Sequence, residues 1–187
     1  MAIREGATII ETALWKRLDS PGHDAARIET VPGGHLLEGT AVFRHEDGPA
    51  AISYRLDLAP DWSTRRGLLR GFVGAKTVEH EIVRGPDGWT LDGAAQPGLA
   101  HLLDLDLGFT PATNLQQLRR VPLEIGEEAD IKVAWFDAGA ERLVELPQYY
   151  RRLDEHRYAY RGFSYQGTLE MAPNGFVRLY PDLWEMA

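Results

Sequence analysis

The sequence predicts a mainly β protein, a long antiparallel meander curled into a roll or open barrel around one short helix. Three observations predict it. Apolar and polar residues alternate at period two along most of the chain, the pattern of half-buried strands. Gly- and Pro-containing pairs punctuate these runs at short intervals. A single segment, Thr113 to Arg120, carries helix formers instead.

Taken in chain order, Ile52, Tyr54, Leu56 and Leu58 share one face, with Ser53, Arg55 and Asp57 on the other. Trp62, Leu68 and Phe72 share one parity and Leu69 and Val73 the other, so that strand reads as covered on both sides. Ile131, Val133 and Trp135 alternate with Lys132, Ala134 and Phe136, and Tyr158 and Tyr160 with Arg157, Ala159 and Arg161. β-Branched and aromatic residues suit such pleated surfaces. Pro32-Gly33-Gly34, Asp47-Gly48-Pro49, Pro86-Asp87-Gly88, Ala138-Gly139 and Pro173-Asn174-Gly175 supply the turns. Turns this short enforce antiparallel pairing, because a parallel return needs a crossover of about a dozen residues. The expected strands cover about 7–17, 25–32, 35–46, 50–59, 65–75, 77–84, 88–92, 130–137, 141–147, 157–161, 165–172 and 175–180. Leu115 and Leu118 place one apolar face on the helix, with Thr113 or Asn114 as its cap and Pro122 as its stop. A sheet this long must curl to cover its apolar face and protect its edges.

The 187 residues read as one domain spanning 1–187. With 20 basic against 28 acidic residues the net charge is −8, which opposes general binding to nucleic acid or anionic membranes. Cysteine is absent, so thiol nucleophiles, disulfides and Cys-ligated metals are excluded. No apolar run reaches the roughly 18 residues of a membrane span, and the first residues lack the order of a signal peptide, so a cytoplasmic protein without stable membrane insertion is expected. The histidines His23, His35, His45, His80, His101 and His156 show no metal-binding spacing, and no nucleophile elbow or phosphate-binding Gly-rich loop occurs. No metal and no cofactor is expected.

Residues 101–123 contain Asp104-x-Asp106, then Thr110-Pro111-x-Thr113-Asn114, then Arg119-Arg120. This order resembles the signature of the bacterial putative glycolipid-binding family, formerly a domain of unknown function. Trp15 before Pro21-Gly22-His23, the stretch from Gly39 to Arg70, Trp89 before Leu91-Asp92-Gly93, and the closing Gly175-Phe176-Val177-Arg178-Leu179-Tyr180-Pro181 look similar too, so the resemblance covers nearly the whole chain. It departs from the family at Ala112 and at Gln116-Gln117. The resemblance implies a spiral β-roll wrapped around a helix, often paired as a homodimer, and an amphiphilic ligand such as a glycolipid. It implies no catalytic residues.

The residues themselves leave three readings. Asp104 and Asp106, two apart on a strand, share a face and raise each other's pKa unless cations intervene, and Arg119 and Arg120 are the available cations. The cluster is then an ion-pair network fixing the helix on the sheet. Alternatively Asp104, Asp106, Thr110, Thr113, Asn114, Arg119 and Arg120 surround a head group at the mouth of an apolar cavity on the concave face. Third, a carboxylate pair about 7 Å apart meets the spacing used by inverting glycosidases, which would make the protein a hydrolase or isomerase acting on an amphiphile. A dimerisation module without ligand is the remaining class. His101 shares parity with Leu103 and Leu105 and reads as a core histidine or a general base. Tyr149-Tyr150-Arg151-Arg152 and Arg157 to Arg161 read as Arg packed on Tyr rings within the sheet.

Overall fold

The structure, a computed structural model, describes residues 8–163 and 165–187. Strands take up 61% of it, far above the roughly 20–25% of an average domain. In chain order they are β1 (Thr8–Arg17), β2 (Gly22–Val31), β3 (Gly34–His45), β4 (Gly48–Leu58), β5 (Thr64–Val73), β6 (Lys76–Gly85), β7 (Gly88–Leu91), β8 (Ala94–Gln96) and β9 (Leu105–Leu107). After helix α1 (Asn114–Arg120) come β10 (Glu128–Phe136), β11 (Val144–Arg152), β12 (Arg157–Gly162), β13 (Tyr165–Met171), β14 (Val177–Tyr180) and β15 (Trp184–Met186). Residue 7, where the first strand was expected to begin, lies outside the described residues.

All strands form one sheet in the order β8-β7-β6-β5-β4-β3-β2-β1-β15-β14-β13-β12-β11-β10-β9. Two meanders, β1 to β8 and β10 to β15, are joined through β1 and β15, and the sheet curls without closing into a barrel. The period-two residues set its faces. Trp15, Asp24, Ala41, Ile52, Gly71 and Val78 pair in one row across β1 to β6 and face inward, while Leu14, Ala25, Thr40, Ser53, Arg70 and Glu79 form the neighbouring outward row. Trp15 anchors the interior: its indole N–H donates to Val177 O at 2.6 Å and its ring meets Phe176 edge-on, 5.4 Å away. Losing so large a buried side chain costs about 3–5 kcal/mol. Gly39 faces Tyr54 across β3 and β4, and a Cβ there would overlap the Tyr54 hydroxyl and Ala25 O, so only glycine lets the ring lie across its neighbour.

The inner edge of the open sheet leans back on the first meander. β9 pairs with β10 in parallel, the one exception to the antiparallel rule, and its far side leans on β5, where Leu105 N–H donates to Thr64 Oγ1 at 2.9 Å and Thr64 N–H to Leu103 O at 2.9 Å. Trp89 Nε1 reaches Leu102 O at 3.1 Å. The short strands β8 and β15 were not expected, β9 was expected only as the strand carrying Asp104 and Asp106, and β11 runs later than the 141–147 reading. Trp62 is not in a strand: it sits in a bend with φ +70°, ahead of β5. Arg161 over Tyr149 and Arg152 over Tyr158 bear out the Arg-on-Tyr reading, at 5.1 and 5.8 Å. No described helix is long and apolar enough to cross a membrane.

Candidate functional site

The signature segment occupies the inner face, between the two meanders. Thr113 stands at the N-cap of α1, yet its hydroxyl does not cap the helix. It donates instead to Asp106 Oδ1 at 2.5 Å, and Gln148 Nε2 donates to Asp106 Oδ2 at 2.8 Å. Asn114 Nδ2 donates to the Tyr150 hydroxyl at 2.7 Å; that hydroxyl lies 3.0 Å from Gln117 Oε1 and 3.2 Å from Gln148 Oε1. Gln116 Nε2 donates to Leu105 O at 2.6 Å. Gln116 and Gln117, where the sequence departs from the family pattern, are thus the buried amides that dock α1 on β9 and β11.

The two arginines separate. Arg120 Nε and Nη2 hold the Asp104 carboxylate from 2.6 to 3.0 Å. Asp104 is fully buried, and burial raises its pKa despite the guanidinium. Arg119 faces another way, with its Cζ 5.9 Å from the Trp62 ring centroid and Nη2 3.4 Å from Asn174 O. Asp106 has no cation on it, and burial pushes its pKa up to about 6, against the pull of the Thr113 and Gln148 hydrogen bonds. Thr110 bonds to a carboxylate the sequence did not single out: its hydroxyl donates to Asp24 Oδ2 of β2, which also accepts from Tyr54 at 3.0 Å. Asp24 too is raised to about 6 by burial, and its Oδ1 is buried without a hydrogen-bond partner among the described residues. The loop before α1 is therefore held between two buried carboxylates, Asp24 and Asp106.

Three of the seven expected residues, Asp106, Thr110 and Asn114, line a cleft of about 160 Å³ on the inner face. Aromatic side chains complete it: Trp135 from β10, Tyr160 from β12, Phe163, Tyr165 from β13, Tyr180 from β14 and Trp184 from β15. Tyr160, Tyr165 and Tyr180 pack on one another with centroids 4.8 to 6.0 Å apart. A Cβ at Gly162 would come within 2.6 Å of Tyr160 Oη, so this glycine lets the ring lie along the strand. Asp104, Thr113 and Arg120 do not line the cleft, and Arg119 opens onto a different groove. Asp104 and Asp106 therefore do not flank a shared opening. Of the cleft aromatics, Trp135 and Tyr160 stood out as period-two positions, which a filled core would produce equally well.

His101 is not in the core: it is exposed, on a loop, with Nε2 2.7 Å from Glu145 Oε2, while Oε1 of the same carboxylate pairs with Lys132 at 2.8 Å. Among the described residues no group of His, Asp and Glu could hold a metal ion. A larger groove, about 1060 Å³, crosses the outer face of β1 to β5. Its polar groups already pair with one another, Arg27 with Glu38 and Glu29, Arg55 with Asp57, and Thr40 with Ser53. Volume and chemistry thus point to different faces, and the gathering of aromatic rings beside Asp106 and Asn114 favours the inner cleft.

Comparison with curated proteins finds no match. Among solved structures, the chain is similar to a DUF1089 family protein from Pseudomonas aeruginosa, with 26% identity and a TM-score of 0.76, covering 88% of this chain and 91% of that one. Residues 12–186 match the family described as "Putative glycolipid-binding". With that match spanning nearly all of its length, the chain belongs to this family.

Proposed function

We propose that the protein binds an amphiphile whose glycosyl head seats in the inner-face cleft. The observation that carries this reading is the meeting of aromatic rings with the Asp106 carboxylate and the Asn114 amide in one small opening. A sugar ring offers apolar C–H faces, which pack on aromatic surfaces, and hydroxyl edges, which need acceptors and donors. Asp106 uses two of its roughly four lone-pair positions inside the protein, leaving acceptor capacity for a hydroxyl. The cleft volume of about 160 Å³ is close to that of cavities of roughly 150 Å³ that take a single benzene ring. That size suits one sugar ring. Phe163, 62% exposed, and Trp135 form the apolar rim over which an alkyl chain would leave.

Trp135 and Trp184 line the cleft, so their fluorescence reports occupancy. Octyl glucoside below its micelle concentration is expected to give a saturable change, and Phe163→Ala to weaken it about tenfold without loss of folding. Equal binding of octanol and octyl glucoside, with no effect of Phe163→Ala, would remove the reading.

A further inference from the structure

Toward the other end of α1 lies a second groove, of about 590 Å³. Trp62, Leu115, Leu118, Leu123, Tyr158 and Met171 give it an apolar lining. Three basic side chains also border it, Arg119, Arg152 and His156, together with one acid, Glu155. Arg152 is occupied by backbone carbonyls: it donates to Leu123 O at 2.8 Å, Asp154 O at 3.1 Å and Glu155 O at 3.3 Å. His156 lies 3.9 Å from Glu155. Arg119 differs. Of the five N–H donors a guanidinium carries, one reaches Asn174 O at 3.4 Å, and no carboxylate of the described residues pairs with it.

An aromatic ring lies against that guanidinium. Trp62, beneath it, is stacked on His35 at 3.8 Å and 11°. The indole borders the groove, where it meets Arg119. In a chain of net charge −8, a guanidinium without a carboxylate partner among the described residues, over an aromatic ring and beside an apolar trough, is a complementary surface for an anion carrying a hydrocarbon tail.

We infer that this groove is a second binding site, taking a single-chain amphiphile that ends in a carboxylate or phosphate, with Arg119 on the anion and Leu115, Leu118, Leu123 and Met171 along the chain. The inference does not rest on the glycosyl reading, since the two openings share no lining residue. The anion could belong to a free fatty acid or to a lipid phosphate, and guanidinium geometry suits both.

Calorimetric titration of the full chain with dodecanoate, dodecyl phosphate, dodecanol and acetate near neutral pH tests it. Saturable binding of dodecanoate, dodecyl phosphate or both is expected, with dodecanol and acetate each weaker by about tenfold or more. Dodecanoate alone would identify a fatty-acid site, and dodecyl phosphate alone a lipid-phosphate site. Arg119→Gln, an exposed position, is expected to keep the parent's melting temperature and octyl glucoside response while losing about tenfold or more in affinity for the anion; Arg119→Lys should lose less. The Arg119 Nε–H resonance should move on titration of the parent. Dodecanol binding as tightly as the anions, an unchanged affinity in Arg119→Gln, or no saturable binding of either anion would overturn the inference.

Discussion

Arg120 grips Asp104 with two nitrogens, Nε and Nη2, at 2.6 to 3.0 Å, and the carboxylate it holds is fully shielded from solvent. Adjacent positions on a helix point about 100° apart, so Arg119, one residue earlier, serves a different surface. Arg120→Ala strands a buried charge and should cost about 3–5 kcal/mol. Arg119→Ala should cost about 0.5 kcal/mol or less, as an exposed side chain with one long hydrogen bond. Urea unfolding of the two variants checks the contrast.

Stability should depend on pH through Asp24 and Asp106. Their folded pKa values of about 6 lie above the roughly 3.9 of an unfolded aspartate. The folded state therefore binds more protons between those limits. The stabilisation is fully present below about pH 4 and is lost as pH rises through 6, on the order of 2–3 kcal/mol for each group. His35, whose pKa burial lowers, works the opposite way below about pH 6.5, so the informative quantity is a difference. The melting temperature of the parent minus that of Asp106→Asn should be larger near pH 4.5 than near pH 7.5. A difference independent of pH would show that Asp106 is not protonated in this window. If the ionised carboxylate accepts a ligand hydroxyl, affinity for octyl glucoside should also fall as pH drops below about 6.

Tyr150→Phe isolates the docking of α1. The phenol sits among Asn114, Gln117 and Gln148 in a buried site, and its removal leaves those amides underpaired. A cost of about 1–3 kcal/mol is expected, read by thermal unfolding. Hydrogen exchange should quicken selectively in residues 114–120, because the β-sheet ladders do not depend on this hydroxyl.

The strands and the helix were legible because each shows its period over enough residues, as in Ile52 to Leu58 and Ile131 to Trp135. β9 was legible as Asp104 and Asp106 alternating with leucines, but its burial on both faces was not, since Leu105, Asp106 and Leu107 are all buried. Its parallel pairing with β10 is a product of the roll and has no local signal. His101 was misplaced because a strand was extended back through it; the turn from Leu99 to Leu102 breaks that parity. The signature offered Arg119 and Arg120 as cations for Asp104 and Asp106, but only Arg120 pairs, and only with Asp104, which local spacing could not show. Asp24 left no trace at all: a lone Asp in a strand reads as solvent-facing, and only the fold brings Thr110 and Tyr54 to it. The cleft tyrosines could be read as inward but not as exposed to a ligand, because period two marks a face and not an opening.

The central claim is that the inner-face cleft over Asp106 recognises a glycosyl head. The measurement that tests it most directly is tryptophan fluorescence titration of the parent and of Phe163→Ala with octyl glucoside, octanol and glucose. The account predicts saturable binding of octyl glucoside, weaker binding of both fragments, and a loss of about tenfold in the variant. Binding that follows the octyl chain alone, with octanol matching octyl glucoside in both proteins, would contradict it.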